Sequence, residues 1–143
     1  MKETKNMMAA LFDMMSKAFS NKENSKVIIA EQLPTSVKNF VMFNFPTQNI
    51  ASIEMKQDAN ETVYEICFSE GTEVCIDSNG NWETVDGKLD GVPVSILPES
   101  IKSFIKNHLA NMRILRIDKT DQGYHTFLSD ASMVDFNYNG VAA

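Results

Sequence analysis

Two histidines, two cysteines and a run of carboxylates are the side chains with which this sequence could do chemistry. Nucleophilic catalysis needs a nucleophile, a base and a group that orients the base. His108 and His125 are the only bases of the usual kind, and no Gly-x-Ser-x-Gly elbow accompanies either. His108 falls at the end of a helical pattern, where its natural contacts are the terminal carbonyls. No catalytic residue is assigned on these grounds. Cys67 and Cys75 are two thiols without the two further close ligands that zinc requires. Asp77, Asn79 and Asn81 are spaced like the start of a calcium loop. Lys88 stands where the twelfth-position glutamate belongs, and an Asn79-Gly80 turn accounts for the stretch. No glycine loop of the phosphate-cradling kind occurs. Neither a metal nor a cofactor is expected.

The carboxylates carry more information. If Ser69, Glu70 and Gly71 form a hairpin loop, Ile66 faces Val74, Cys67 faces Glu73 and Glu65 faces Cys75. This register gathers the apolar residues on one side. Glu54, Glu65, Glu73 and Asp77 then project from the other side. Leu33 to Asp86 holds two lysines against nine acids, whereas five bases balance five acids from Leu97 onward. An acidic sheet face in the first half would steer a basic partner. Trp82 is either an aromatic anchor for that contact or a core residue. The other reading of the face is a plain solvated surface.

Composition limits the alternatives. The 143 residues carry a net charge of −6, with 43% apolar and 22% charged residues, which suits one domain or two small halves sharing a core. A general nucleic-acid role is disfavoured by the charge. No apolar run reaches the roughly 18 residues of a membrane span. Two cysteines make no disulfide framework. The apolar stretch Met7 to Phe12 stops at Asp13, short of a secretory core. That reading suits a cytoplasmic protein or a chain whose leader is gone.

A repeat organises the elements that must position these side chains. Leu33-Pro34 recurs as Leu97-Pro98, and the same 64-residue offset aligns Phe40 with Phe104, Ile50 with Ile114 and Ile53 with Ile117. Further on the offset becomes 60, aligning Tyr64 with Tyr124, Ser69 with Ser129 and Asn79-Gly80 with Asn139-Gly140. The difference falls in a polar loop, where insertion is tolerated. Each copy opens with a proline suited to a helix's first turn. Val37, Phe40, Val41 and Phe45, and likewise Ile101, Phe104, Ile105 and Leu109, then keep helical spacing. Alternating strands follow: Ala51 to Lys56, Tyr64 to Ser69, Val74 to Ile76 and Trp82 to Val85 in the first copy. In the second they are Arg113 to Lys119, Gly123 to Ser129 and Ser132 to Asn137, and the equivalent of the Trp82 strand is missing or very short.

The expected fold is α+β: two repeats, each a helix followed by an antiparallel meander, share one sheet with both helices on one face. Residues 1–26 form an N-terminal amphipathic helix and polar linker, 27–86 the first repeat, 87–96 a connector and 97–143 the second repeat. Met7, Met8, Leu11, Met14, Met15 and Ala18 mark the apolar stripe of the first segment. It packs on its own domain or docks on another protein.

Leu33-Pro34, Phe40, Phe45-Pro46, Ile50, Ile53, Tyr64-Glu65-Ile66, Gly71-Thr72-Glu73-Val74, Asp77 to Trp82 and Val85-Asp86 together resemble a PepSY-like repeat. Val92-Pro93 leading to Ile96-Leu97-Pro98 resembles the junction to a second copy. The resemblance covers about residues 30 to 140. It is to the tandem PepSY-like, beta-lactamase-inhibitor-like proteins of Bacteroidetes. It implies an inhibitor-like α+β fold with a curved antiparallel sheet and an extracytoplasmic home, and it brings no catalytic residue. His108-Leu109-Ala110 departs from the Asn44-Phe45-Pro46 of the first copy. The function expected is a non-enzymatic module that binds a protein or peptide through the open sheet face. The alternative is a structural or sensory scaffold whose methionine-rich N-terminal helix mediates association.

Overall fold

A computed structural model describes residues 25–57, 60–139 and 141–142. The N-terminal stripe from Met7 to Ala18 lies outside the described residues.

Among the described residues, eight strands form one antiparallel sheet, each hydrogen-bonded to its neighbours in chain order. They are β1 (Ser25–Ile28), β2 (Ile50–Gln57), β3 (Thr62–Phe68), β4 (Glu73–Asp77), β5 (Trp82–Asp86), β6 (Ile114–Thr120), β7 (Gly123–Leu128) and β8 (Met133–Asn137). Helix α1 (Thr35–Asn44) joins β1 to β2, and α2 (Glu99–His108) joins β5 to β6. Pro34 and Pro98 sit at the N-caps, one place ahead of the expected first turn, and each carbonyl accepts N–H groups from three and four residues on.

Both helices cover the same side. Phe45, just past α1, stacks on Phe68 of β3 at 4.7 Å, and Phe104 of α2 meets Phe136 of β8 edge-on at 5.1 Å. Each such pair adds about 1 kcal/mol beyond the area it buries. Val37 and Ile101 drive fully buried side chains from the helices into one core with Ile53, Ile66, Ile76, Val85, Ile117 and Leu128. Burial of each contributes roughly 1.5–3 kcal/mol. Strand alternation then sends the intervening residues to the opposite side, which neither α1 nor α2 covers.

The repeat is written into the backbone. A bulge between Ile50 and Ser52 recurs between Ile114 and Arg116, at the offset of 64. Ser69 N–H donates to the Asn49 carbonyl as Ser129 N–H does to that of Arg113. Gly71 turns the first hairpin with φ of 104°, and Ala131 turns its counterpart with φ of 71°. β5 is counted twice. It closes the first meander against β4 and opens the second unit against β6, in the place that β1 holds before α1. After β8 the described residues make a single bridge, Phe136 to Ala142, where the first copy has β5.

One element departs from expectation. Ser25 and Lys26, read as linker, already pair with Lys56 and Met55. This strand has no alternation to betray it, because it is short and lies at the sheet edge.

Candidate functional site

The face opposite α1 and α2 is the candidate site, and its rows follow from the register. The expected hairpin register holds: Ile66 pairs with Val74, Cys67 with Glu73 and Glu65 with Cys75. One row crosses seven strands through Glu54, Glu65, Cys75, Thr84, Asp118, His125 and Asp135. The next contains Ser52, Cys67, Glu73, Asp86, Arg116, Phe127 and Met133. Of the second-half members, the sequence singles out only His125, as a base; the offsets contain the others too, since Asp118 stands where Glu54 does, His125 where Glu65 does and Asp135 where Cys75 does.

Three of the expected residues share this face without being equally free. Glu65 accepts a charge-assisted hydrogen bond from Lys56 at 2.8 Å. Glu73 lies 3.4 Å from Lys88, which also reaches Asp86 at 3.0 Å. Glu54 has no ion-pair partner among the described residues. Asp77 stands opposite Val63 at the sheet's end, and its Oδ1 accepts the N–H groups of Asn79 and Asn81, both at 2.9 Å. Its carboxylate is therefore engaged in the turn. That turn packs closely on α1: Ser36 Oγ donates to the Ser78 carbonyl at 2.8 Å, and a Cβ on Gly80 would lie 3.0 Å from the Ser36 carbonyl oxygen.

Trp82 does not join the face. It pairs with Ile76, is buried on the helix side, and has Lys119 Nζ 4.4 Å above its ring. The cause is a bulge that places Glu83 as an extra residue opposite β4. Trp82 and Val85, three apart, can both point inward only because of it. The failure of Trp82 to Val85 to alternate cleanly is the signal that marked this in the sequence.

Glu83 is thereby added to the open face. Its carboxyl lies 3.7 Å from Cys75 Sγ and shares a hydrogen bond with Glu61. Burial raises the Glu83 pKa, and the Glu61 carboxyl reinforces the rise. Burial raises the Cys75 thiol strongly, with help from the charges of Glu83 and Glu65. Burial also raises Cys67, against the pull of a Ser52 hydrogen bond. Both thiols are free.

In the second half, Arg116 bridges Asp118 at 3.1 Å and Asp86 at 3.6 Å. His125 Nδ1 pairs with Asp135 across β7 and β8. This is the orienting half of a catalytic arrangement, but Nε2 is buried and, among the described residues, has no hydrogen-bond partner, so none of them presents a hydroxyl or thiol to it. His108 ends α2 and stacks on Phe104 at 4.7 Å. Among the described residues no group of three or more His, Cys, Asp or Glu side chains is placed to hold a metal ion. Among them, too, no helix is long and apolar enough to cross a membrane.

This architecture is a two-repeat, single-sheet α+β fold with a charged open face. The chain belongs to the PepSY-like family, described as "Putative beta-lactamase-inhibitor-like, PepSY-like", which matches residues 18–73 and again 62–142. Its structure is similar to that of a "putative calcium-regulated periplasmic protein" of Bacteroides thetaiotaomicron, with TM-score 0.77 and 28% identity over 85% of this chain and 95% of that one. It is also similar to a "putative periplasmic protein" of Bacteroides vulgatus, with TM-score 0.78 and 25% identity over 85% of this chain and 96% of that one. A second Bacteroides vulgatus protein, at 24% identity and TM-score 0.75 over 83% of this chain and 96% of that one, shares the fold. No curated protein matches the chain.

Proposed function

We propose that this protein is a non-enzymatic binding module that takes a basic protein or peptide on its open sheet face. The observation that carries the reading is the placement of Glu54, Glu65, Glu73 and Glu83 on the one side of the sheet that neither helix covers. An excess of one charge sign on such a face draws an oppositely charged partner and raises its encounter rate. Rows of side chains at strand spacing offer a broad platform rather than a cleft. The family description supports an inhibitor-like version of this reading, in which the partner is a hydrolase whose active site the face covers.

The test is affinity capture from native extract with the whole chain, against the double variant Glu65→Lys/Glu73→Lys. A partner bound by the native face is expected to be lost at least about tenfold at low salt, since mutating charges changes encounter and salt dependence. Thermal unfolding of the variant separates this loss from damage through the Lys56–Glu65 pair. A partner retained undiminished by a folded variant places the contact elsewhere. Inhibition of beta-lactamases by the purified chain tests the narrower version.

A further inference from the structure

The solvent side of α1 differs from that of α2 in a way that the repeat makes measurable. Met42 is 70% exposed and Phe43 76% exposed at the end of α1. Ser95 Oγ donates to Asn44 Oδ1 at 2.7 Å, which sets Val94, 64% exposed, beside the same helix end. The equivalent exposed positions of α2 are Lys106 and Asn107. Copy two thus shows how this helix surface looks when it faces water, and copy one replaces it with adjoining apolar groups. Single exposed apolar residues are ordinary, whereas a contiguous patch marks a covered surface.

We infer that this patch is covered by the chain's own N-terminal segment, through the stripe Met7, Met8, Leu11, Met14, Met15 and Ala18. Twenty-four residues precede Ser25, which opens β1, the strand before α1, and pairs with Lys56 of β2, the strand after it. As a helix, the stripe is about 18 Å long, against about 15 Å for α1. Residues 19–24 add up to about 20 Å of reach. Methionine packs well on an irregular apolar surface of the Met42, Phe43 and Val94 kind. The family match begins at residue 18, so most of the stripe lies ahead of the matched repeats.

Hydrogen exchange on the full chain, read by mass spectrometry at two widely separated concentrations, tests the assignment. The amides of residues 7–18 are expected to exchange at least about tenfold more slowly than in an unstructured chain at both concentrations. That slowing is lost in Met42→Ser/Phe43→Ser and kept in the matched control Lys106→Ser/Asn107→Ser. All four sites are exposed, so the fold is not at stake, and protection of β3 and β4 verifies it. Slowing that appears only at the higher concentration assigns the patch to a second copy and overturns the proposal. So does free exchange of residues 7–18, or slowing indifferent to the α1 substitutions.

Discussion

Asp77 and Asn137 occupy equivalent places in the two copies and do the same work with different charge. Each side-chain Oδ1 accepts the backbone N–H groups of the residues two and four places on, at 2.9 and 2.9 Å for Asp77 and at 3.0 and 3.1 Å for Asn137. An amide oxygen therefore suffices for this turn. Asp77→Asn is expected to change stability by less than about 0.5 kcal/mol, whereas Asp77→Ala leaves two N–H groups without that acceptor and costs about 1 kcal/mol or more. Urea unfolding of the two variants checks this, and an Asn variant as unstable as the Ala variant refutes it.

Gly71 and Ala131 are a second matched pair, and here the second copy is strained. Ala131 holds φ of 71° where its counterpart is glycine. The left-handed conformation costs a Cβ-bearing residue about 1–2 kcal/mol, and glycine's greater unfolded-state freedom offsets part of any gain. Ala131→Gly is therefore expected to stabilise by roughly 0.5–1 kcal/mol, which a higher melting temperature would show. An unchanged or lower value means that the turn carries no strain.

Glu83 makes stability depend on pH. Burial and the Glu61 hydrogen bond raise its pKa in the folded protein above its ordinary 4.5. The folded state then holds the proton more tightly than the unfolded chain. Its favourable contribution is complete below pH 4.5 and is lost as pH rises through the raised value. Glu83→Gln has no charge to bury, and its amide can donate to Glu61. It is expected to stabilise by about 0.5 kcal/mol near neutral pH, a modest figure because the site is partly solvated. The advantage should vanish below pH 4.5. A gain that is constant with pH points to packing instead.

Cys75 should be the inert thiol of the pair. Its burial and its carboxylate neighbours suppress the thiolate, which is the reacting species. Alkylation followed by peptide mapping is expected to label Cys67 first, with Cys75 slower by at least about tenfold. Equal rates would show that the β4–β5 surface opens readily.

Much of this was legible beforehand because duplication supplies a second reading of every element. The β3–β4 register followed from requiring Ile66, Phe68, Val74 and Ile76 on one side. What escaped had physical reasons. β1 is a four-residue edge strand whose first residues are polar. The bulge at Glu83 shifts a register that strict alternation assumes to be constant. The Arg116 pairs with Asp86 and Asp118 and the His125–Asp135 pair draw on four strands, β5 to β8, and have no local motif.

The double role of β5 has a consequence for how the molecule can be divided. A cut on its N-terminal side robs the first meander of its last strand. A cut on its C-terminal side leaves α2 and β6 without the neighbour that β1 gives their counterparts. There is no bond whose severing yields two intact copies, so the pair should melt as one body and neither portion should persist in isolation.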